Sequence, residues 1–353
     1  MRIAVGMSGG VDSSIAAFLL KEAGHEIIGV TLRFYKESCS NELRVCCSPE
    51  DVKDAAYISE RLGIPHITLD WEKLFEQRVI QYFVEGYMES KTPNPCAICN
   101  RDVKTGYLAR YLRKVADIDR FATGHYARTA EHKGRRLIRR GKDISKDQSY
   151  FLALIKKEDI DLLEFPIGSM SKEEVRKTAR LYKLPVAEKK DSQEVCFLMG
   201  RAPGDFIEAR EGVREGLIVH KEGHVLGKHR GTYHFTVGQR RGLGISHHRP
   251  LYVLQLKGDE NKVIVGYEED LYRDTILLKD VNFHLPLEEW EDVYAVVRYR
   301  SQPVRIRDVQ RVKDDYLIKL ERPVKNISPG QVCAFYDGDV LLGGGIIELI
   351  EAR

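Results

Sequence analysis

A chain of 353 residues exceeds one ordinary domain and is long enough to bury two or three separate cores. Its 56 lysines and arginines against 53 aspartates and glutamates leave a net charge of only +3, so any nucleic-acid surface must come from local clustering rather than from overall charge. No apolar signal core and no apolar run of bilayer length is visible, which argues against export or membrane embedding and predicts a cytoplasmic protein.

In chain order, short apolar runs at 3–7, 27–32, 64–69 and 121–123 read as strands, and the amphipathic stretches 49–62, 71–89 and 101–115 read as helices. Ser171-x-x-Glu174 has the form of a capping box opening a further helix. This alternation predicts an α/β domain with a doubly wound parallel sheet over residues 1–204. Ligands on such sheets bind beyond the carboxyl ends of the strands, where Ser8 to Ser13 and Gly124-His125 would lie. From Asp205 to about Pro250 glycines and charged residues replace the helical pattern, which predicts a small central linking domain, set at 205–270. The runs 251–256, 263–267, 293–298, 304–309, 316–320 and 332–336 read as short strands, and their spacing predicts a β-barrel, with the C-terminal domain set at 271–353.

The first strand leads directly into Ser8-Gly9-Gly10-Val11-Asp12-Ser13, and a helical pattern follows. Two glycines let backbone approach a charged ligand, and the N–H groups and dipole of a helix start favour an anion. No Gly-Lys-Ser/Thr follows, so this is not a Walker A loop, and it is not the dinucleotide Gly-x-Gly-x-x-Gly. It resembles the Ser-Gly-Gly-x-Asp-Ser loop of the PP-loop ATP pyrophosphatases, which cut ATP between its α and β phosphates.

Seven cysteines, an odd number in a large chain without a visible signal peptide, argue against a disulfide framework. Cys96 and Cys99 form a Cys-x-x-Cys after Thr92-Pro93-Asn94-Pro95, at the start of a predicted helix, where the dipole stabilises thiolate. A redox pair and half of a zinc site are the other readings of that spacing. Cys196 follows two lysines and a mixed polar stretch. Cys39, Cys46 and Cys47 have no recognised ligand spacing, and Cys333 lies in an alternating strand and reads as packed.

Together the loop and cysteines make the whole chain resemble the bacterial tRNA-specific 2-thiouridylases. The likeness includes Ala122-Thr123-Gly124-His125-Tyr126, Lys146 to Phe151, Lys190-Asp191-Ser192 with Cys196-Phe197, Gly238-Gln239-Arg240, Arg298-Tyr299-Arg300 and Pro329-Gly330-Gln331. That resemblance implies ATP-dependent 2-thiolation of the tRNA wobble uridine, with magnesium on the phosphates. It assigns ATP to Gly6, Met7, Ser8, Gly9, Gly10, Val11, Asp12, Ser13, Leu32 and Gly124, and catalysis to Cys99 and Cys196. It assigns the flipped base to Asn94, Pro95 and Cys96, and other tRNA contacts to His125, Lys146, Asp147, Gln148, Arg298, Tyr299 and Gln331. The implied partners are tRNA and a sulfur donor: a cysteine desulfurase, a sulfur-relay protein or sulfide.

One position departs from the family pattern: Cys96 stands where many members carry aspartate. Cys96, Cys99 and Cys196 could then hold a 4Fe–4S cluster with one iron open for sulfide, and this route is favoured over a persulfide on Cys196. Another PP-loop ligase would need the loop but not the cysteines, and an RNA-binding iron–sulfur protein the reverse; only sulfur transfer uses both.

Between His220 and Arg249 lie six lysines or arginines, six of the eleven histidines and one acid, the expected phosphate-contacting patch, with Arg240 and Arg241 central to it. A second basic stretch, 133–142, carries Arg135-Arg136 and Arg139-Arg140 on a predicted hairpin.

Overall fold

The computed structural model describes residues 1–34, 49–189 and 195–348. Strand β1 (Arg2–Gly6) leads to helix α1 (Val11–Glu22), β2 (Glu26–Arg33), α2 (Pro49–Leu62) and β3 (His66–Asp70). Helix α3 (Glu72–Phe75) passes through a π-helical turn into α4 (Gln81–Met88), and α5 (Pro95–Ile98) runs through the π-helical segment Cys99–Ala109 into α6 (Arg110–Ala116). Next come β4 (Arg120–Thr123), the hairpin β5 (Ala127–His132) and β6 (Arg135–Arg140), β7 (Leu163–Glu164), α7 (Lys172–Leu181) and α8 (Pro203–Glu211).

Strands β3, β2, β1, β4 and β7 form one parallel sheet in that order. Ile3, Ala4 and Val5 are wholly buried because both faces of β1 are covered. Ile15, Ile58 and Val175, from α1, α2 and α7, share a core with Ile3 and Val5 on one face; Phe83, Ile98 and Leu112 pack on the other. The chain's progression across the sheet reverses between β1 and β4, so the ends of these two strands flank the crevice where such sheets bind ligands.

A second sheet joins β8 (Gly216–His220), β9 (Val225–His229), β10 (Tyr252–Lys257) and β11 (Lys262–Gly266) in the order β10-β11-β8-β9 around its own small core of Ile218, Val253, Val263 and Val265. The third contains β12 (Arg273–Phe283), β13 (Val293–Val296), β14 (Val304–Val312), β15 (Asp315–Val324), β16 (Val332–Asp337) and β17 (Val340–Glu348). Its antiparallel order β12-β15-β14-β13-β16-β17 closes through β12–β17 pairing, Leu278 opposite Ile347, which makes a barrel.

The α/β, small central and β-barrel parts expected from the sequence are all present. Several elements differ. The strands expected at 251–256 and 263–267 belong to the central sheet, because Val253, Val263 and Val265 bury against Ile218 rather than inside the barrel. Helix α8 occupies the start of the segment read as non-helical. Strands β12 and β17 have no counterpart among the expected strands: β12 alternates charged and apolar residues irregularly, and β17 contains Gly343-Gly344-Gly345, which hides the strand pattern. Hairpin β5–β6, from the first half of the chain, extends the barrel sheet through Arg139 opposite Val340.

Candidate active site

Past β1, Met7 continues the parallel register by donating from its N–H to Val30 O at 2.8 Å, and Thr31 Oγ1 donates to Met7 O at 2.9 Å. The chain then turns away from the sheet. Ser13 Oγ accepts from Ser8 N at 3.1 Å and donates to Gly10 O at 3.2 Å, which closes the loop. Gly9 has φ +67°, and a Cβ there would sit 2.3 Å from Asp51 O, so both conformation and space demand glycine. Gly124, after β4, packs as closely: its Cβ would lie 2.6 Å from Ser13 N. Gly10 caps α1 without a side-chain hydrogen bond, leaving first-turn N–H groups of α1 for an anion. Gly6 and Val11 bracket this turn, and Leu32 is buried near the carboxyl end of β2. The loop therefore fits a phosphate ligand.

Charged groups surround the loop. Asp12 Oδ1 accepts from Tyr126 OH at 2.8 Å, and both Asp12 oxygens lie 2.8 Å from Lys172 Nζ. Lys189 Nζ reaches Gly9 O at 2.9 Å, Asp51 Oδ1 at 2.6 Å and Asp54 Oδ2 at 2.7 Å. Burial depresses the Lys189 pKa, but its bonds to Asp51 and Asp54 outweigh this and hold it above the usual lysine value. The sequence reading missed these lysines. Lys172 follows the capping-box residue Ser171, but nothing in a linear motif shows that α7 delivers it to Asp12.

The cysteine turn is built by Asn94, whose Oδ1 caps α5 by accepting from Ala97 N at 3.1 Å, with Pro95 at the first helical position. Cys96 is half-buried in the first turn, and Cys99, one turn on, is buried against the core. Cys196 is half-buried beside Phe197, whose ring packs 5.0 Å from Phe83 and 5.5 Å from Phe206. Among the described residues no group of three or more His, Cys, Asp or Glu side chains is placed to hold a metal ion, so the expected cluster gains no support from them. Cys99 shares one core with Phe75, Phe83, Phe197 and Phe206, and the half-buried Cys196 packs against that same core. Cys39, Cys46 and Cys47 lie outside the described residues, as do Lys190, Asp191 and Ser192. Cys333 is fully buried, and burial pushes its thiol pKa up to about 12.

A chain of hydrogen bonds joins the loop to the cysteine turn. From Asp12 it runs through Tyr126, whose N donates to Gln148 Oε1 at 2.9 Å. Phe151 N then donates to Gln148 O at 3.1 Å, and Asn100 Nδ2, beside Cys99, donates to Phe151 O at 3.1 Å.

The expected RNA-contacting residues divide into two kinds. Asp147 is buried and fully engaged by Arg140 (3.0 Å), Gly141 N, Ser149 N and Ser149 Oγ, a structural role. Gln331 Nε2 donates to Thr92 O at 2.7 Å and so ties the barrel to the loop before Asn94. Arg298 is exposed, Lys146 and Tyr299 are partly so, and the Tyr299 ring lies 4.6 Å from Phe151. His125 Nδ1 bonds Thr123 Oγ1 at 2.8 Å; burial, and secondarily the charge of Lys104, push its pKa down to about 3, so its imidazole is neutral near pH 7.

The two basic stretches also part. Arg135, Arg136, Arg139 and Arg140 pair with Glu289, Glu164, Asp339 and Asp147, so the hairpin's arginines are spent on ion pairs, those of Arg135 and Arg139 tying it to the barrel, rather than left for RNA. Arg240 and Arg241 are exposed and, among the described residues, form no ion pair. His220 and His229 are buried. No helix among the described residues is long and apolar enough to cross a membrane.

Known proteins place this geometry. Three family models match in succession: the tRNA methyl transferase HUP domain over residues 1–200, the tRNA methyl transferase PRC-barrel domain over 204–267, and the aminomethyltransferase beta-barrel domain over 273–347. The chain is 57% identical to the tRNA-specific 2-thiouridylase MnmA of Aquifex aeolicus over 99% of both chains. It is 53% identical to that of a Hydrogenobaculum species (98% of this chain, 100% of the relative) and 49% to that of Persephonella marina (98% and 100%). By full-length identity and by its successive domains, the chain belongs to the tRNA-specific 2-thiouridylase family.

Proposed function

We propose that this protein is an ATP-dependent tRNA-uridine 2-sulfurtransferase that replaces the C2 oxygen of the wobble uridine with sulfur. The observation that carries the reading is the hydrogen-bonded connection from the phosphate loop, through Tyr126, Gln148 and Phe151, to Asn100 beside Cys99. A carbonyl oxygen in a pyrimidine is a poor leaving group. In the proposed reaction it attacks the α phosphorus of ATP, pyrophosphate departs from the loop at Gly6 to Ser13, and the C2–O–AMP linkage becomes displaceable. Magnesium at this site would neutralise charge on the phosphates, with Asp12 the one carboxylate of the loop able to hold it. Leu32 and Gly124 complete the ATP site.

A persulfide on Cys196 then supplies the terminal sulfur. Sulfur attacks C2 and AMP leaves; Cys99 attacks the remaining Cys196 sulfur, giving a Cys99–Cys196 disulfide that a dithiol reductant reopens. A cysteine desulfurase or a sulfur-relay protein recharges the reduced Cys196 by passing on the outer sulfur of its own persulfide, whereas sulfide recharges it by attacking the Cys196 sulfur of the Cys99–Cys196 disulfide, with Cys99 leaving as thiolate. Asn94, Pro95 and Cys96 border the flipped base, which must leave its stack to be reached. Neutral His125, together with Lys146, Gln148, Arg298 and Tyr299, faces tRNA, while Asp147 and Gln331 support those contacts from behind. The working division of the chain is 1–204, 205–270 and 271–353.

The test is reconstitution of the full chain with unmodified tRNA, ATP and a persulfide donor, followed by nucleoside mass spectrometry. ATP-dependent 2-thiouridine with matching AMP is expected. Thiolation that proceeds without ATP, or AMP release with no thionucleoside, would defeat the proposal.

A further inference from the structure

The phosphate loop carries no cation of its own. Its only charged side chain is Asp12, an anion in a place meant for anions. Yet two lysines from distant parts of the chain converge on it, one at each end. Lys172 has a side chain only 12% exposed and holds both oxygens of Asp12; Lys189, 27% exposed, spans Gly9 O, Asp51 and Asp54.

The lysines are also connected to each other. Lys172 N donates to Asp143 Oδ2 at 3.1 Å, and the Ser171 capping box with Glu174 fixes the start of α7. Arg176, one turn along α7, donates to Ala187 O at 2.7 Å and Lys189 O at 3.0 Å. One helix therefore sets both cations against the loop. Half-buried lysine–carboxylate pairs contribute little to stability after their desolvation cost, so fold maintenance alone is a weak reason for two of them around one anion site.

We infer that Lys172 and Lys189 are the phosphate-binding cations of this site, held by Asp12 and by Asp51 and Asp54 until the β and γ phosphates of ATP displace those carboxylates. The inference rests on the ATP-dependent reading above and adds the residues that take up the charge of the leaving pyrophosphate. Ammonium groups suit that task, because they neutralise charge without fixing a bidentate geometry.

The experiment is calorimetric titration of the full-length protein with α,β-methylene ATP, with inorganic pyrophosphate and with adenosine. Lys172→Met is expected to weaken binding of the first two ligands about 30-fold, the worth of a hydrogen bond between charged groups, and Lys189→Met about 10-fold. Adenosine binding should not change in either variant. Lys172→Met combined with Asp12→Asn separates direct contact from simple neutralisation of Asp12: continued weak binding is expected, and restored affinity would overturn the assignment. Unchanged pyrophosphate affinity in the Lys172→Met protein would overturn it too. If that variant does not fold, the more exposed Lys189→Met decides by the same readout. A wild-type protein that binds no α,β-methylene ATP would instead remove the ATP-dependent reading itself.

Discussion

The hairpin β5–β6 and the segment from Arg240 to Arg249 look alike in composition, since each is a short stretch dense in arginine. Their surroundings make them opposites. On the hairpin every arginine from Arg135 to Arg140 meets a carboxylate, and two of these, Glu289 and Asp339, come from the barrel, 154 and 200 residues away in sequence. In the central domain Arg249 pairs with Glu269, but Arg240 and Arg241 face solvent beside Gly242-Leu243-Gly244. A charge run fixes how many cations a surface has available; the carboxylates that folding brings up decide how many are left.

Substitutions should separate the two regions cleanly. The largest stability effect is expected for Arg140→Met, which strands Asp147 in a site where only 6% of its side chain is exposed. Loss of one partner of a buried pair costs about 3–5 kcal/mol. Removing the cation over Tyr336, 3.7 Å from the ring centroid, adds to this. Thermal unfolding should show the loss; a tRNA defect without a stability defect would erase the contrast.

For Arg240→Ala with Arg241→Ala the reverse pattern is expected. Removing two phosphate-binding cations should reduce the slope of log affinity against log salt by about 2, with tRNA binding weaker at every concentration and melting unchanged. Filter binding across a salt series measures this, and an unaltered slope would show that the exposed pair does not touch RNA.

A smaller effect belongs to Arg135→Ala. Its pair with Glu289 is partly exposed on both sides, so stability should change by about 0–1 kcal/mol and tRNA affinity not at all. A drop comparable to that of Arg140→Met would mean that exposure does not govern which hairpin arginines matter.

The last prediction concerns acid. His125 is neutral when folded, with its pKa pushed down to about 3 from 6.5. As pH falls below 6.5 the unfolded chain takes up a proton that the folded ring refuses, so stability declines from there toward pH 3. Buried His284 has its pKa lowered by burial as well and contributes with the same sign. Denaturant melts at stepped pH should show a shallower decline in His125→Gln; an identical profile would show that His125 titrates normally.

Much of the site could be read from local patterns, because strand, loop and helix in 2–22 are contiguous and the chemistry of two adjacent glycines is local. Asn94 with Pro95 was legible for the same reason. What could not be read depends on distance along the chain. Lys172 lies 160 residues from Asp12 and Lys189 138 from Asp51, so neither appears in a window around the loop. Asp147 sits in a polar run that suggests a surface, yet three backbone or side-chain donors and Arg140 draw it inside. The cysteines show the limit from the other side. Spacing supplied three candidate ligands, but which of them meet is a property of packing: Cys99 and Phe197 share one core with Cys196 packed against it, and no metal-holding group of three appears among the described residues.

The register between Arg139 and Val340 makes the hairpin a borrowed edge of the barrel. An expression fragment ending near residue 204 would keep β5 and β6 but lose the strand beside them, along with Glu289 and Asp339, and it would expose Leu137 and Ile138, now buried. Such a fragment would present an unpaired β edge to its neighbours, and its solubility problem would come from a missing partner strand in an otherwise intact nucleotide-binding half.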